Sequence, residues 1–178
     1  MRLFRSAAPP EVAAQVEGRA LAAAQAADGT WLVGTRTALV LIASSAGGPT
    51  PVETRIPWER LEAADWDRDE SRLRLSEVGR FGEQRPTYSF TMPEAEPAAL
   101  LQLIRERVTA SVVLQRGHVV AAKRGFKVIG RRSPVGGPIS WMFEYDDGID
   151  PADPAVVEAA DALLRRARED VGETGEPI

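Results

Sequence analysis

The sequence predicts an α+β fold: an antiparallel, strand-rich body closed by a helix, followed by a C-terminal β-β-β-α extension. Three observations carry that expectation. Short apolar runs rich in Val, Leu, Ile and Trp recur between turn residues from Thr30 to Met92. Helical spacing replaces them at PEAEPAALLQLIRERV, residues 93–108. Three further strand-like stretches then precede an amphipathic run, VVEAADALLRRARED, at residues 156–170.

Taken in order, Pro10 after Pro9 opens a run with helix propensity that Gly18 interrupts. A short helix over about residues 10–16 and a strand over about 19–26 are expected. Asp28-Gly29 is a two-residue hairpin signal, with a strand Thr30–Gly34 directly after it. Gly34-Thr35-Arg36 makes a second tight connection before the longest apolar stretch, Ala38–Ala43. SSAGGPTP, residues 44–51, is a turn cluster, and VETRI then alternates Val52, Thr54 and Ile56 against Glu53 and Arg55 as a half-buried strand does. Pro57-Trp58 introduces a kink, Leu61–Trp66 resumes, Asp67–Ser71 is a charged turn, and RLRLSEV alternates again through Leu73 and Leu75. A loop over residues 79–86 leads to TYSFTM, which sets Tyr88, Phe90 and Met92 on one face.

In the helix at 93–108, acids occupy the first turn, Leu100, Leu101, Ile104 and Val108 share a stripe, and arginines fall toward the end. SVVLQ with HVVAA, FKVIGRR and ISWMFEY supply the later strands, punctuated by Gly117, Gly125 and PVGGP. The last helix starts at the Asp150–Pro154 segment and sets Val157, Ala160, Leu163, Leu164 and Ala167 on one stripe. The chain thus divides into residues 1–108 and a β-rich annex with a C-terminal helix, 109–178.

Composition removes several classes of chemistry. Lys and Arg number 22 against 26 Asp and Glu, a net charge of -4, which is the wrong sign for a protein that coats nucleic acid with its whole surface. With no cysteine there is no disulfide, thiol nucleophile or Cys-ligated metal. His118 is the sole histidine, so no two-histidine metal site forms, and no GxSxG elbow supports a catalytic triad around it. Flanked by Gly117 and Val119, it is expected in a surface turn. DDGIDPADPAVVE lacks the ligand alternation of a Ca²⁺ loop, so the acids from Glu144 to Asp153 read as a loop ending in a helix N-cap. Gly47-Gly48 and Gly136-Gly137 lack phosphate-loop order and read as turns. No catalytic residue, cofactor or metal is expected. The N-terminal MRLFRSAAPPEV has no apolar run of leader length and Ala38–Ala43 is too short to span a bilayer, so a cytoplasmic location is expected.

About seven short strands closed by one helix, over roughly residues 17–108, resemble the bacterial pleckstrin-homology-like fold. The likeness is carried by ADGTWLVGTRTALVLI, IPWERLEAADWD and EAEPAALLQLIRERV. It implies an antiparallel β-barrel whose open end the helix plugs, and a scaffold for binding proteins or lipid headgroups. In such domains phosphoinositide binding relies on basic residues around the loop joining the first two strands. Here Ala26-Ala27-Asp28-Gly29 carries an acid and no cation. The tryptophans Trp31, Trp58, Trp66 and Trp141 sit inside strand-like stretches and read as core or half-buried sheet positions; Trp58, after Pro57, is the first choice among them for an exposed anchor.

Charge is unevenly distributed. From Arg107 to Phe143 run seven cations, Arg107, Arg116, Lys123, Arg124, Lys127, Arg131 and Arg132, and no acid. Both lysines of a chain with 20 arginines fall inside this window. The plainest reading is a solvated strand face paired with the acids from Glu144 to Asp150. The functional reading is a non-enzymatic binding or scaffold module. In it Arg116, Lys123, Arg124, Lys127, Arg131 and Arg132 of a basic β-hairpin meet an acidic protein surface, and Phe126, with Val128 and Ile129, adds an apolar contact. Nucleic acid or anionic lipid on the same surface is the alternative, with Phe126 the one aromatic among the cations.

Overall fold

The computed structural model describes residues 8–43, 52–78, 86–93, 97–121 and 123–173. The turn expected at 44–51, the loop expected at 79–86 apart from Pro86, and the acids Glu94 and Glu96 lie outside them. The chain forms two compact units, the first mainly of residues up to Ser111 and the second mainly of residues from Val112 onward.

In the first unit a short helix α1 (Pro10–Ala13) precedes strands β1 (Ala22–Gln25), β2 (Trp31–Gly34), β3 (Ala38–Ala43) and β4 (Val52–Pro57), which form an antiparallel sheet in chain order. The β1–β2 turn uses Gly29 at φ 88°, a left-handed conformation that costs glycine little, while Asp28 Oδ1 accepts from Thr30 N at 2.9 Å. Thr35 closes β2 onto β3: its hydroxyl accepts from Ala38 N at 3.1 Å and donates to Ala38 O at 2.9 Å. The unbroken apolar run of β3 has a physical cause, because both faces of the strand are covered. Leu39 and Leu41 face the main core, whereas Val40 and Ile42 pack with Val33 against Val12 and Val16.

Strands β5 (Leu61–Asp67), β6 (Arg72–Glu77) and β7 (Thr87–Thr91) form a second antiparallel sheet, and α2 (Ala98–Ser111) follows. Leu73, Leu75, Phe90 and Met92 close the main core with Leu100, Leu101 and Ile104 of α2. The expected barrel does not form. Among the described residues the strands lie in three open antiparallel sheets and the protein is mostly β. Barrel closure needs a continuous ladder of backbone bonds around the circumference. Instead a 3-10 turn at Trp58–Arg60 carries the chain from the first sheet to the second, starting directly after Pro57, which has no N–H to continue a ladder. Nor is Trp58 an exposed anchor: it is fully buried, and its indole Nε1 donates to Thr35 O at 3.1 Å.

In the second unit β8 (Val112–Ala121), β9 (Arg124–Arg131) and β10 (Ser140–Tyr145) form an antiparallel sheet in the order β10-β9-β8, followed by α3 (Pro154–Asp170). Asp153 caps α3 by accepting from Ala155 N at 2.8 Å. Val156, Ala160 and Ala167 are the buried residues of α3; Ala160 and Ala167 were expected on the inner stripe, while at its start Val156 is buried in place of Val157, which is exposed. The three expected strands are β8, β9 and β10; Gly117, expected as punctuation within the first, lies inside β8, which runs through it as one strand of 10 residues.

Two phenols report on these cores. Burial raises the pKa of Tyr88 above the ordinary 10.0, reinforced by the hydrogen bond it donates to Glu77 Oε1 at 2.7 Å. Burial also raises Tyr145, with the negative charge of Asp161 adding to it. Both hold their protons in the folded state after the unfolded chain has begun to lose them. Their contribution to stability is therefore complete below pH 10.0 and disappears as pH rises through the folded-state values. Thermal melts are expected to fall more steeply above that pH in the native protein than in a Tyr88→Phe, Tyr145→Phe double variant; parallel curves would contradict the assignment.

Candidate functional site

The basic hairpin is β8 and β9 with Lys123 in their turn, at φ 69°. Register places Leu114 opposite Gly130, Arg116 opposite Val128 and His118 opposite Phe126, so these six share one face of the sheet. On β10, Trp141, Phe143 and Tyr145 pair with Gly130, Val128 and Phe126 and continue it. This is the face that α3 covers, since Phe126, Phe143 and Tyr145 pack with Val156, Ala160 and Leu163. Gly130 is required here, because a Cβ would stand 2.7 Å from Cζ3 of Trp141. The Trp141 indole in turn donates to Glu173 Oε2 at 2.8 Å.

The structure separates the seven residues chosen from sequence. Arg116 pairs with Asp170 of α3 at 3.2 Å, and Lys127 with Glu144 of β10 at 3.0 Å. Arg124 donates from Nη1 to the carbonyl of Asp147 at 3.3 Å. Arg131 is buried at 6% exposure. Lys123 and Arg132 are exposed at opposite ends of β9, and neither forms an ion pair among the described residues. Phe126, at 2% exposure, is core, as are Val128 and Ile129. The expected apolar contact from these three is therefore overturned. Phe126 and Val128 lie on the face of the sheet that α3 covers.

His118 lies within β8, not in a turn, and its ring sits 5.2 Å from that of Phe126. Among the described residues no three His, Asp or Glu side chains gather to hold a metal, and no helix is long and apolar enough to cross a membrane.

Sequence reasoning missed the free edge. Every residue from Gln115 to Ala121 is exposed, Val119 at 67% and Val120 at 42%. The backbone direction follows from Gly125, whose carbonyl accepts from Asp146 N at 2.9 Å and whose N–H donates to Asp146 Oδ2 at 2.7 Å. Gly125 therefore turns its polar groups away from β8. Its partner Val119 must likewise turn its own away from β9, and alternation extends this to Gly117 and Gln115. The ladder slips only at its ends, between Val112 and Leu114 and between Val119 and Ala121. A legible signal existed in Val119-Val120: neighbouring residues of a strand point to opposite faces, so two adjacent valines cannot both enter one core.

Charge is segregated across this sheet. Glu144 lies on β10 and Asp146 and Asp147 follow it, whereas β8 and β9 contain no acid. β10 stands two strand spacings from β8, about 9–10 Å, close to a Debye length at physiological salt. Comparison of the chain with protein-family models, with curated proteins and with solved structures gives no match.

Proposed function

We propose that the protein is a non-enzymatic intracellular binding module whose second unit engages an acidic segment of another protein through the β8–β9 hairpin. The observation that supports this reading most directly is the charge distribution: β8 and β9 contain no acid, and the hairpin turn presents Lys123, exposed and without an ion pair among the described residues, beside an exposed Arg124 that touches the Asp147 carbonyl. Long-range attraction by the tip cations raises the encounter rate with an acidic partner, and exposed pairs such as Arg116–Asp170 exchange partners at little cost. Base stacking has no support from Phe126, which is buried.

The test is fluorescence anisotropy at low salt with a labelled glutamate-rich peptide, beside a single-stranded oligonucleotide and phosphatidylserine vesicles. The peptide is expected to bind, and Lys123→Glu with Arg124→Glu to weaken it about tenfold with no loss of thermal stability. Binding of the oligonucleotide or the vesicles in place of the peptide, or an unaltered affinity in the double variant, would overturn the reading.

A further inference from the structure

We infer that the acidic partner is held as an added β-strand along the free edge of β8. This deepens the proposed function and rests on it for the sign of the partner's charge. The backbone argument is independent of that sign. Gly117 and Val119 each turn an N–H and a C=O away from β9, and Gln115 turns its N–H the same way while its C=O accepts from Arg116 Nη1; all three lie within the regular part of the ladder, in a stretch of β8 that is exposed throughout. Such an edge is a template for another chain. Folded proteins ordinarily blunt it with proline, with a bulge, or with lysine pointing outward. Between Leu114 and Val119 there is no proline, no slip in register and no lysine. The one charged side chain there, Arg116, pairs through Nη2 with Asp170 of α3 and donates from Nη1 to the Gln115 carbonyl at 3.3 Å, so the open acceptors of this edge are the carbonyls of Gly117 and Val119.

The side chains beside that edge define the chemistry of the added strand. Arg116 and His118 flank it on the face that α3 covers, and Gln115, Gly117 and Val119 flank it on the other. An added strand alternates its own side chains between the same two faces. Residues on the first face lie beside the Arg116 guanidinium and are favoured as Glu or Asp. Residues on the second lie beside Val119 and glycine and are favoured as small or β-branched apolar groups. At the turn, Lys123 and Arg124 add positive charge where that strand passes the end of the hairpin. The β10 edge does not compete for the same occupant, because Glu144, Asp146 and Asp147 repel it. The occupant is therefore an extended segment alternating acidic and apolar residues.

The probe is a synthetic peptide alternating glutamate and valine, together with a copy N-methylated at alternate residues so that the donors facing β8 are removed. The methylated copy keeps charge and side chains and loses the ladder, and the protein it meets is native. It is expected to bind about tenfold more weakly. In the protein, Gly117→Pro blocks the same edge without removing a bond to β9, and the site has room, since a Cβ there meets nothing nearer than Phe126 O at 4.0 Å. This variant is expected to weaken the unmethylated peptide to the level of the methylated one. Equal binding of the two peptides to the native protein would overturn strand addition, and the acidic-partner reading would stand if Lys123→Glu with Arg124→Glu still weakened both. Failure of both peptides to bind at low salt would overturn both.

Discussion

Replacing Trp58 by alanine is expected to destabilise the first unit by about 3–5 kcal/mol, the range for removing a large aromatic side chain from a packed core. The indole is fully buried among Leu39, Ile56, Leu61 and Leu73, at the point where the chain leaves the first sheet for the second. Two effects combine in that figure. The cavity is one. The other is the Thr35 carbonyl, which loses the indole donor at 3.1 Å; an unsatisfied buried acceptor costs about 1–3 kcal/mol. Trp58→Phe separates them, because it refills most of the space while still removing the donor, and is expected to fall between native and alanine. Urea unfolding followed by far-ultraviolet circular dichroism measures both. A Trp58→Ala protein within about 1 kcal/mol of native would mean that the residue does not join the two sheets as described.

That Trp58 could be read both as a core residue and as an exposed anchor shows what local sequence can and cannot encode. Strand positions were legible wherever one face was wet: Leu73 and Leu75 between Arg72, Arg74 and Ser76 could occupy only a half-buried strand, and they are buried in β6. The Asp28-Gly29 turn was legible for the same kind of reason, since its chemistry is local. Exposure next to a proline is not local. Pro57 does mark a break, but whether the following side chain faces solvent or core depends on which sheet lies beneath it, and that is a tertiary matter. Barrel closure is likewise a statement about strands far apart in sequence, and alternation within single strands holds no information about it.

The candidate site divides along the same line. The acid-free run of cations was visible in the sequence and is a genuine feature of β8 and β9. Which cations stay available was not, because Asp170 reaches Arg116 from 54 positions away and Glu144 reaches Lys127 across a strand pairing. Edge or centre was equally hidden. The sheet is a chain-order meander of β8, β9 and β10, and that order pairs β9 on both sides and β8 on one. Gly117 reads as punctuation in the sequence, and the structure places it inside an uninterrupted strand with one side unpaired.

Phe126→Ala provides the sharpest separation between the surface first expected from sequence and the one the fold supports. Were Phe126 an exposed contact, its truncation would weaken binding and leave stability within about 0.5 kcal/mol of native. It instead centres the aromatic cluster of the second unit, with ring centroids of Tyr145 at 5.5 Å and Phe143 at 6.3 Å, and it packs beneath Val156 and Ala160. Truncation is therefore expected to cost about 3–5 kcal/mol in that unit. Hydrogen exchange resolved by residue is the suitable readout, because opening of β8, β9 and α3 should accelerate together while β2, β3 and α2 keep their protection. Val119→Thr, at 67% exposure, is the companion variant: it keeps the β-branched shape, and exchange throughout the second unit should match native. Binding of the alternating glutamate–valine peptide should fall in Phe126→Ala only to the extent that the second unit opens, so that cooling or a stabilising osmolyte restores it. A Phe126→Ala protein with native exchange rates and lost binding would return Phe126 to the surface and remove the core on which the free β8 edge is built.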